Sequence, residues 1–174
     1  MMSSFNSMMA LGIFIGVCVG VFLLAVCNRN GRIKTEYDER QQVIRGVGYK
    51  YAAYATWGLL GVYLFLEVFD VLPMENACAI FIIIMIGLLV QISYSIWKDA
   101  YWGNNNNVKK YIILFVVITA INGASAFVRY RSGEMIVDGK LAFSGSINLI
   151  CTVMFLLIGL QLIAKTFIAG DAEE

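Results

Sequence analysis

Histidine is absent from all 174 residues. Metal centres built on imidazole, Ser/His and Cys/His nucleophile pairs and histidine proton relays are thereby excluded. Four cysteines do not restore metal chemistry, because Cys18 and Cys27 stand nine positions apart in or just past one apolar run, Cys78 and Cys151 at or inside two others, and no pair has ligand spacing. They read as buried, inert thiols, and neither a metal nor a cofactor is expected. Cys27 is also a poor lipid-attachment cysteine, since bulky Val26 precedes it and no Lys or Arg stands ahead of it. A cleavable signal peptide wants a basic start and a shorter apolar core, so Met8 to Val26 is expected to remain as a span. Proline occurs once against 16 glycines, which suits membrane helices, where Gly is common and Pro is the stronger breaker. Charge is scarce and balanced, 13 Lys and Arg against 12 Asp and Glu. No global positive field exists to hold nucleic acid, so direct nucleic-acid binding is not expected and any attraction to an anionic surface must be local.

What the chain has in quantity is apolar surface. At 60% hydrophobic residues, 14% charged and a mean hydropathy of +0.75, it cannot be hidden inside one water-soluble core of this size. A spanning helix needs roughly 20 mainly apolar residues, and five windows satisfy that: Met8 to Val26, Ala52 to Phe69, Ala77 to Trp97, Tyr111 to Val128 and Ser144 to Ile168. The fold expected over residues 1–174 is a single all-α integral membrane domain of five transmembrane helices. Reading the second and third windows as a re-entrant pair is the alternative, but each is long enough to cross.

The connection Cys27 to Tyr51 carries Arg29, Arg32, Lys34, Arg40, Arg45 and Lys50, whereas Asp70 to Asn76 has no basic residue. The Lys/Arg rule places the first of these in the cytoplasm. Lys98, Lys109, Lys110 and Lys165 then fall inside as well, leaving Arg129, Arg131 and Lys140 outside. The localisation expected is a multi-pass cell-membrane protein with its N-terminus outside and its C-terminus in the cytoplasm. Tyr49, Tyr51, Tyr54, Trp57, Trp97, Tyr101 and Trp102 cluster at the same ends, where amphipathic rings favour the headgroup layer.

Between the fourth and fifth windows, Glu134 to Val137 and Lys140 to Phe143 flank Asp138-Gly139, the pairing a two-residue type I′ turn prefers because both central residues need positive φ. A short exofacial β-hairpin is expected within residues 133–143. Isolated hairpins are marginal in water, so it should lean on the outer membrane surface or on the loop containing Pro73. It could be a lid or external contact, or a compact connector.

The most distinctive stretch runs from Tyr37 to Tyr51. Asp38 followed by Gln41 has capping-box spacing, and Val43, Ile44, Val47 and Tyr51 recur at helical intervals while Arg45 and Lys50 can snorkel. An amphipathic cytoplasmic segment over 38–51 is expected to lie on the membrane face or rise from it. Here the chain resembles a group of small polytopic membrane proteins of Gram-positive bacteria that share an Asp-Glu-Arg-Gln element followed by Arg-Gly-x-Gly-Tyr and a span; the matching positions are Asp38 to Gln41 and Arg45 to Tyr49. The resemblance covers about a quarter of the chain and implies no activity; a setting beside small helix-turn-helix regulators would imply a regulatory role. The glycines of Arg45-Gly46-Val47-Gly48-Tyr49-Lys50 lack the Lys-Ser/Thr or strand-turn-helix setting of phosphate motifs. A headgroup-contacting helix is therefore preferred to a nucleotide site.

Gly12, Gly16 and Gly20 form two overlapping GxxxG steps in the first window, a surface for close helix packing within the chain, with a second copy or with another membrane protein. Asn122 and Asn148 could hydrogen-bond across helices. Glu67, the one acid inside an apolar window, could pair with Arg129 or Arg131, and an intramembrane acid is also a transport hypothesis. The leading expectation is a non-enzymatic membrane protein that binds a partner, such as a cytoplasmic regulator, or membrane lipids through Asp38, Glu39, Arg40, Gln41, Arg45 and Lys50. A small transporter or channel component is the alternative; an intramembrane enzyme would need paired acids or a nucleophile with its base.

Overall fold

The computed structural model describes residues 36–103 and 108–170, with Val19 and Phe22. Apart from those two positions, the expected first span Met8 to Val26, its Gly12, Gly16 and Gly20, and the basic residues Arg29, Arg32 and Lys34 lie outside the described residues. The chain divides into two compact units, Met1–Glu36 and Tyr37–Glu174, and the second carries the architecture that follows.

Helix α1 (Glu39–Val68) starts at a complete capping box: the Asp38 carboxylate accepts from the Gln41 N–H at 2.6 Å, and Gln41 Oε1 accepts from the Asp38 N–H at 3.3 Å. No proline interrupts it, so the expected amphipathic segment 38–51 and the expected span 52–69 are one helix of 30 residues, about 45 Å long at 1.5 Å per residue. That exceeds a hydrocarbon core of roughly 30 Å, and only Gln41 and Gly48 along it are buried. Helix α2 (Asn76–Trp97) begins after a Glu75 whose side chain does not cap it. Glu75 Oε2 instead accepts from the Phe143 N–H at 2.7 Å, supplying one of the partners the exposed amides at the start of another helix require. Helix α3 (Val108–Arg131) ends with Arg129 and Arg131 in its last turn, where cations meet the negative end of the helix dipole. Helix α4 (Phe143–Gly170) closes the set. These four helices are long and apolar enough to cross a membrane.

Between α3 and α4, strands β1 (Ile136–Val137) and β2 (Lys140–Leu141) pair antiparallel, Ile136 opposite Leu141 and Val137 opposite Lys140. Asp138 (φ 51°) and Gly139 (φ 75°) both take the left-handed conformation that a type I′ turn needs. The hairpin is tied to the α1–α2 connection, with the Leu141 N–H donating to the Pro73 carbonyl and the Glu75 N–H to the Leu141 carbonyl, each at 2.9 Å. Of the two supports expected for it, the loop containing Pro73 is the one that bonds it.

Helix α2 packs on α1 along one side and on α4 along the other, and α4 carries α3. The α1–α2 contact is close because small or slim side chains meet at four-residue intervals: Gly48, Ala52 and Thr56 face Gly87, Gln91 and Ser95. A Cβ at Gly48 would lie 3.4 Å from the Gln91 carbonyl oxygen, and one at Gly87 would run into Thr56 Oγ1. Near approach of this kind is what membrane helices use in place of a hydrophobic driving force. Gln91 and Ser95 satisfy each other there, Ser95 Oγ donating to the Gln91 carbonyl at 2.9 Å and Gln91 Nε2 to Ser95 Oγ at 3.3 Å. The apolar core sits between α2 and α4, where Ile96, Met154, Ile158 and Leu162 are buried.

Candidate functional site: a polar clasp at one end of the helices

Side chains of residues 37–41 hold the start of α1 against the α2–α3 connection. Gln41, 8% exposed, donates from Nε2 to the carbonyls of Asp99 and Trp102, both at 3.2 Å. Tyr37 donates its hydroxyl proton to the Tyr101 carbonyl at 3.3 Å, and Arg40 Nη2 donates to the Lys98 carbonyl at 3.4 Å. Residues 37–41 therefore occupy four of the five carbonyls between Lys98 and Trp102. Arg45 Nη1 donates to the Tyr37 hydroxyl at 2.9 Å with its guanidinium 4.2 Å from the Tyr37 ring centroid, a cation–π contact that fixes the ring. The physical reason is a demand from the connection: α2 ends at Trp97 and Asp99 turns left-handed at φ 57°, so its carbonyls have no ladder to enter and need donors from elsewhere.

Several residues of this segment have partners within the chain. Asp38 and Gln41 form the cap, Gln41 is buried, Arg45 is half-buried against Tyr37, and Arg40 bonds the Lys98 carbonyl while remaining exposed. Glu39 and Lys50 are exposed; Glu39 lies in the first turn of α1, where a negative charge complements the helix dipole, and Lys50 Nζ stands 5.7 Å from the Tyr54 ring centroid. Asp99, Trp102 and Lys165, which sequence reasoning did not single out, complete the same end. Lys165 Nζ reaches Asp99 Oδ2 at 3.1 Å, and beside this pair lies a hollow of about 190 Å³ lined by Ile96, Asp99, Tyr101, Trp102, Leu162, Lys165 and Thr166. The hollows between α2 and α4 and between α3 and α4, about 290 and 300 Å³, have almost wholly apolar walls.

At the hairpin end the expected pairing of Glu67 with Arg129 or Arg131 is not formed. Glu67 sits on α1 and the two arginines at the end of α3, with α2 and α4 between those helices. Glu67 Oε1 accepts from Asn76 Nδ2 at 2.8 Å, Arg129 binds Glu134 at 2.8 Å, and the Arg131 guanidinium lies 6.0 Å from the Phe127 ring centroid. Lys140 pairs with Asp70 at 3.3 Å. The two asparagines do not join helices among the described residues: Asn122 Nδ2 donates to Ile118 of its own helix at 2.9 Å, and the Asn148 carbonyl accepts from Thr152 at 2.7 Å. The Asn122 side chain thus finds its partner within its own helix. Cys78 Sγ and Ser146 Oγ stand 3.3 Å apart, and Ser146 donates to the Ala142 carbonyl at 2.6 Å.

Charge separates between the two ends. From residue 37 onward, the described clasp end carries the basic residues Arg40, Arg45, Lys50, Lys98, Lys109, Lys110 and Lys165 against Asp38, Glu39 and Asp99, whereas the hairpin end has Glu67, Asp70, Glu75, Glu134 and Asp138 against Arg129, Arg131 and Lys140. Comparison with protein-family models, with curated proteins and with solved structures gives no match.

Proposed function

We propose that the chain is a non-enzymatic, multi-pass membrane protein whose clasp end faces the cytoplasm and meets anionic lipid headgroups. The observation that carries this reading is the combination of a basic end with a rigid seat. The hydrogen bonds from residues 37–41 fix the α2–α3 connection, on which the exposed Lys98 stands, and exposed Lys50 lies farther along α1 beside the ring of Tyr54. A basic residue near an anionic leaflet contributes about 1 kcal/mol, and a rigid frame spares the entropy of ordering it. The first span Met8 to Val26 brings the number of crossings to five in this reading, with the hairpin outside.

Lys50 and Lys98 are the residues to test, because Arg40 and Arg45 also hold the fold. In nanodiscs of mixed phosphatidylglycerol and phosphatidylcholine, Lys50→Gln with Lys98→Gln should lower the phosphatidylglycerol retained on the protein, read by native mass spectrometry, by about tenfold or more. Unchanged retention overturns the headgroup reading, and a protein partner recovered from native membranes only with the unsubstituted chain would put a partner in the lipid's place.

A further inference from the structure

Tyr37 and Gln41 hold the carbonyls of Asp99, Tyr101 and Trp102, three residues that line the hollow at the clasp end. Its volume of about 190 Å³ lies below the roughly 300–1,000 Å³ of pockets for drug-sized ligands, so it admits a compact fragment and not a whole lipid. Two opposite charges stand on it, Lys165 with 27% of its side chain exposed and Asp99 with 64%. Asp99 is fixed from several directions: its N–H donates to the Ile96 carbonyl at 3.2 Å, its own carbonyl accepts from Gln41, and its backbone is left-handed. Trp102 is held through the same Gln41 amide, with the Tyr101 ring 4.5 Å from its own. The floor is apolar, Ile96 and Leu162 each being 3% exposed. A deeper cation and a shallower anion over an apolar floor complement a zwitterion whose phosphate lies nearer an apolar tail and whose primary ammonium lies farther out.

We propose that this cavity binds the phosphoethanolamine headgroup of a membrane phospholipid, with Lys165 Nζ on the phosphate, the Asp99 carboxylate on the ammonium, and Gln41 as the positioning residue. The proposal rests on the membrane reading of the helices but not on the lipid contact of Lys50 and Lys98. The cavity is lined by Ile96 at the end of α2 and by Leu162, Lys165 and Thr166 in the last turns of α4, so a headgroup there leaves its chains beside those helices. Phosphatidylglycerol would satisfy Lys165 with its phosphate but brings only neutral hydroxyls, and no cation, to Asp99. Phosphatidylcholine offers Asp99 no N–H to accept from. Discrimination thus comes from the unmet group as much as from the met one.

The test uses the full chain with Trp57 and Trp97 replaced by Phe, so that Trp102 is the remaining tryptophan of three. In phosphatidylcholine nanodiscs, Trp102 emission should shift saturably as phosphatidylethanolamine is added, at a mole fraction about tenfold lower than with phosphatidylglycerol, the worth of one charge-assisted hydrogen bond. Lys165→Gln and Asp99→Asn should each abolish that preference, and Gln41→Leu should weaken it with helix content unchanged by circular dichroism. The exchanged pair D99K/K165D should recover thermal stability but not the preference, because the phosphate then meets the anion. The same response to all three lipids, an unchanged preference in K165Q and D99N, or recovery of the preference in the exchanged pair overturns the proposal. A shift given by free O-phosphoethanolamine with none from the lipid overturns the lipid assignment. Unchanged phosphatidylglycerol retention in the Lys50 and Lys98 variant, with this preference intact, would overturn the headgroup reading alone, and lost retention with no preference would overturn this proposal alone.

Discussion

Gln41 shows how one side chain can set a local structure that its sequence context only half announces. Its backbone N–H and its Oε1 complete the capping box with Asp38, while its Nε2 serves two carbonyls of a connection 58 and 61 positions away. Gln41→Leu removes both donors and leaves the Asp99 and Trp102 carbonyls without them, which should cost about 1–3 kcal/mol. Gln41→Glu retains the acceptor for the cap but puts an acceptor-only group against two carbonyl oxygens, so above the carboxyl's titration range it should cost at least as much as Leu. Thermal unfolding of the three proteins in one detergent measures this, and a Glu variant as stable as the parent would mean that the Nε2 bonds contribute nothing.

At the scale of the element, the contact between α1 and α2 depends on how near two backbones come. Gly87→Ala would bring a methyl group against Thr56 Oγ1, and overpacking of this kind costs about 1–3 kcal/mol. Adding Thr56→Ala should return most of the lost stability, since the obstacle is one hydroxyl; equal stability of the single and double variants would show that the interface yields by another route. The four apolar windows that became helices were legible in the sequence because length and hydropathy are local properties, and so was the turn at Asp138-Gly139, where two adjacent residues carry the whole requirement. The interface of Gly48, Ala52 and Thr56 with Gly87, Gln91 and Ser95 was not, because Gln and Thr do not advertise a small-residue stripe and the glycine signal of Gly12, Gly16 and Gly20 lies outside the described residues. The clasp escaped for another reason. Asp-x-x-Gln announces a cap, whereas nothing in residues 37–41 announces that their remaining donors are owed to carbonyls near residue 100.

For the whole molecule, the contacts bring the start of α1 and the end of α4 to one end, since Gln41 and Lys165 both reach Asp99, while Lys140 and Glu75 gather the hairpin at the other. The excess of Lys and Arg at the clasp end is the feature by which insertion selects a side, and acids contribute little to that choice. The clasp should therefore be retained in the cytoplasm and the hairpin exported. With the native cysteines replaced by Ser, Asp138→Cys should react with a membrane-impermeant maleimide on intact cells, and Lys98→Cys only after permeabilisation. Both positions are exposed side chains, so access to the reagent and not burial decides the outcome. The opposite pattern would place the basic end outside and remove the anionic inner leaflet as its target. Labelling of both positions on intact cells would deny that the 22 residues of α2, which alone separate Glu75 from Lys98, cross the bilayer at all.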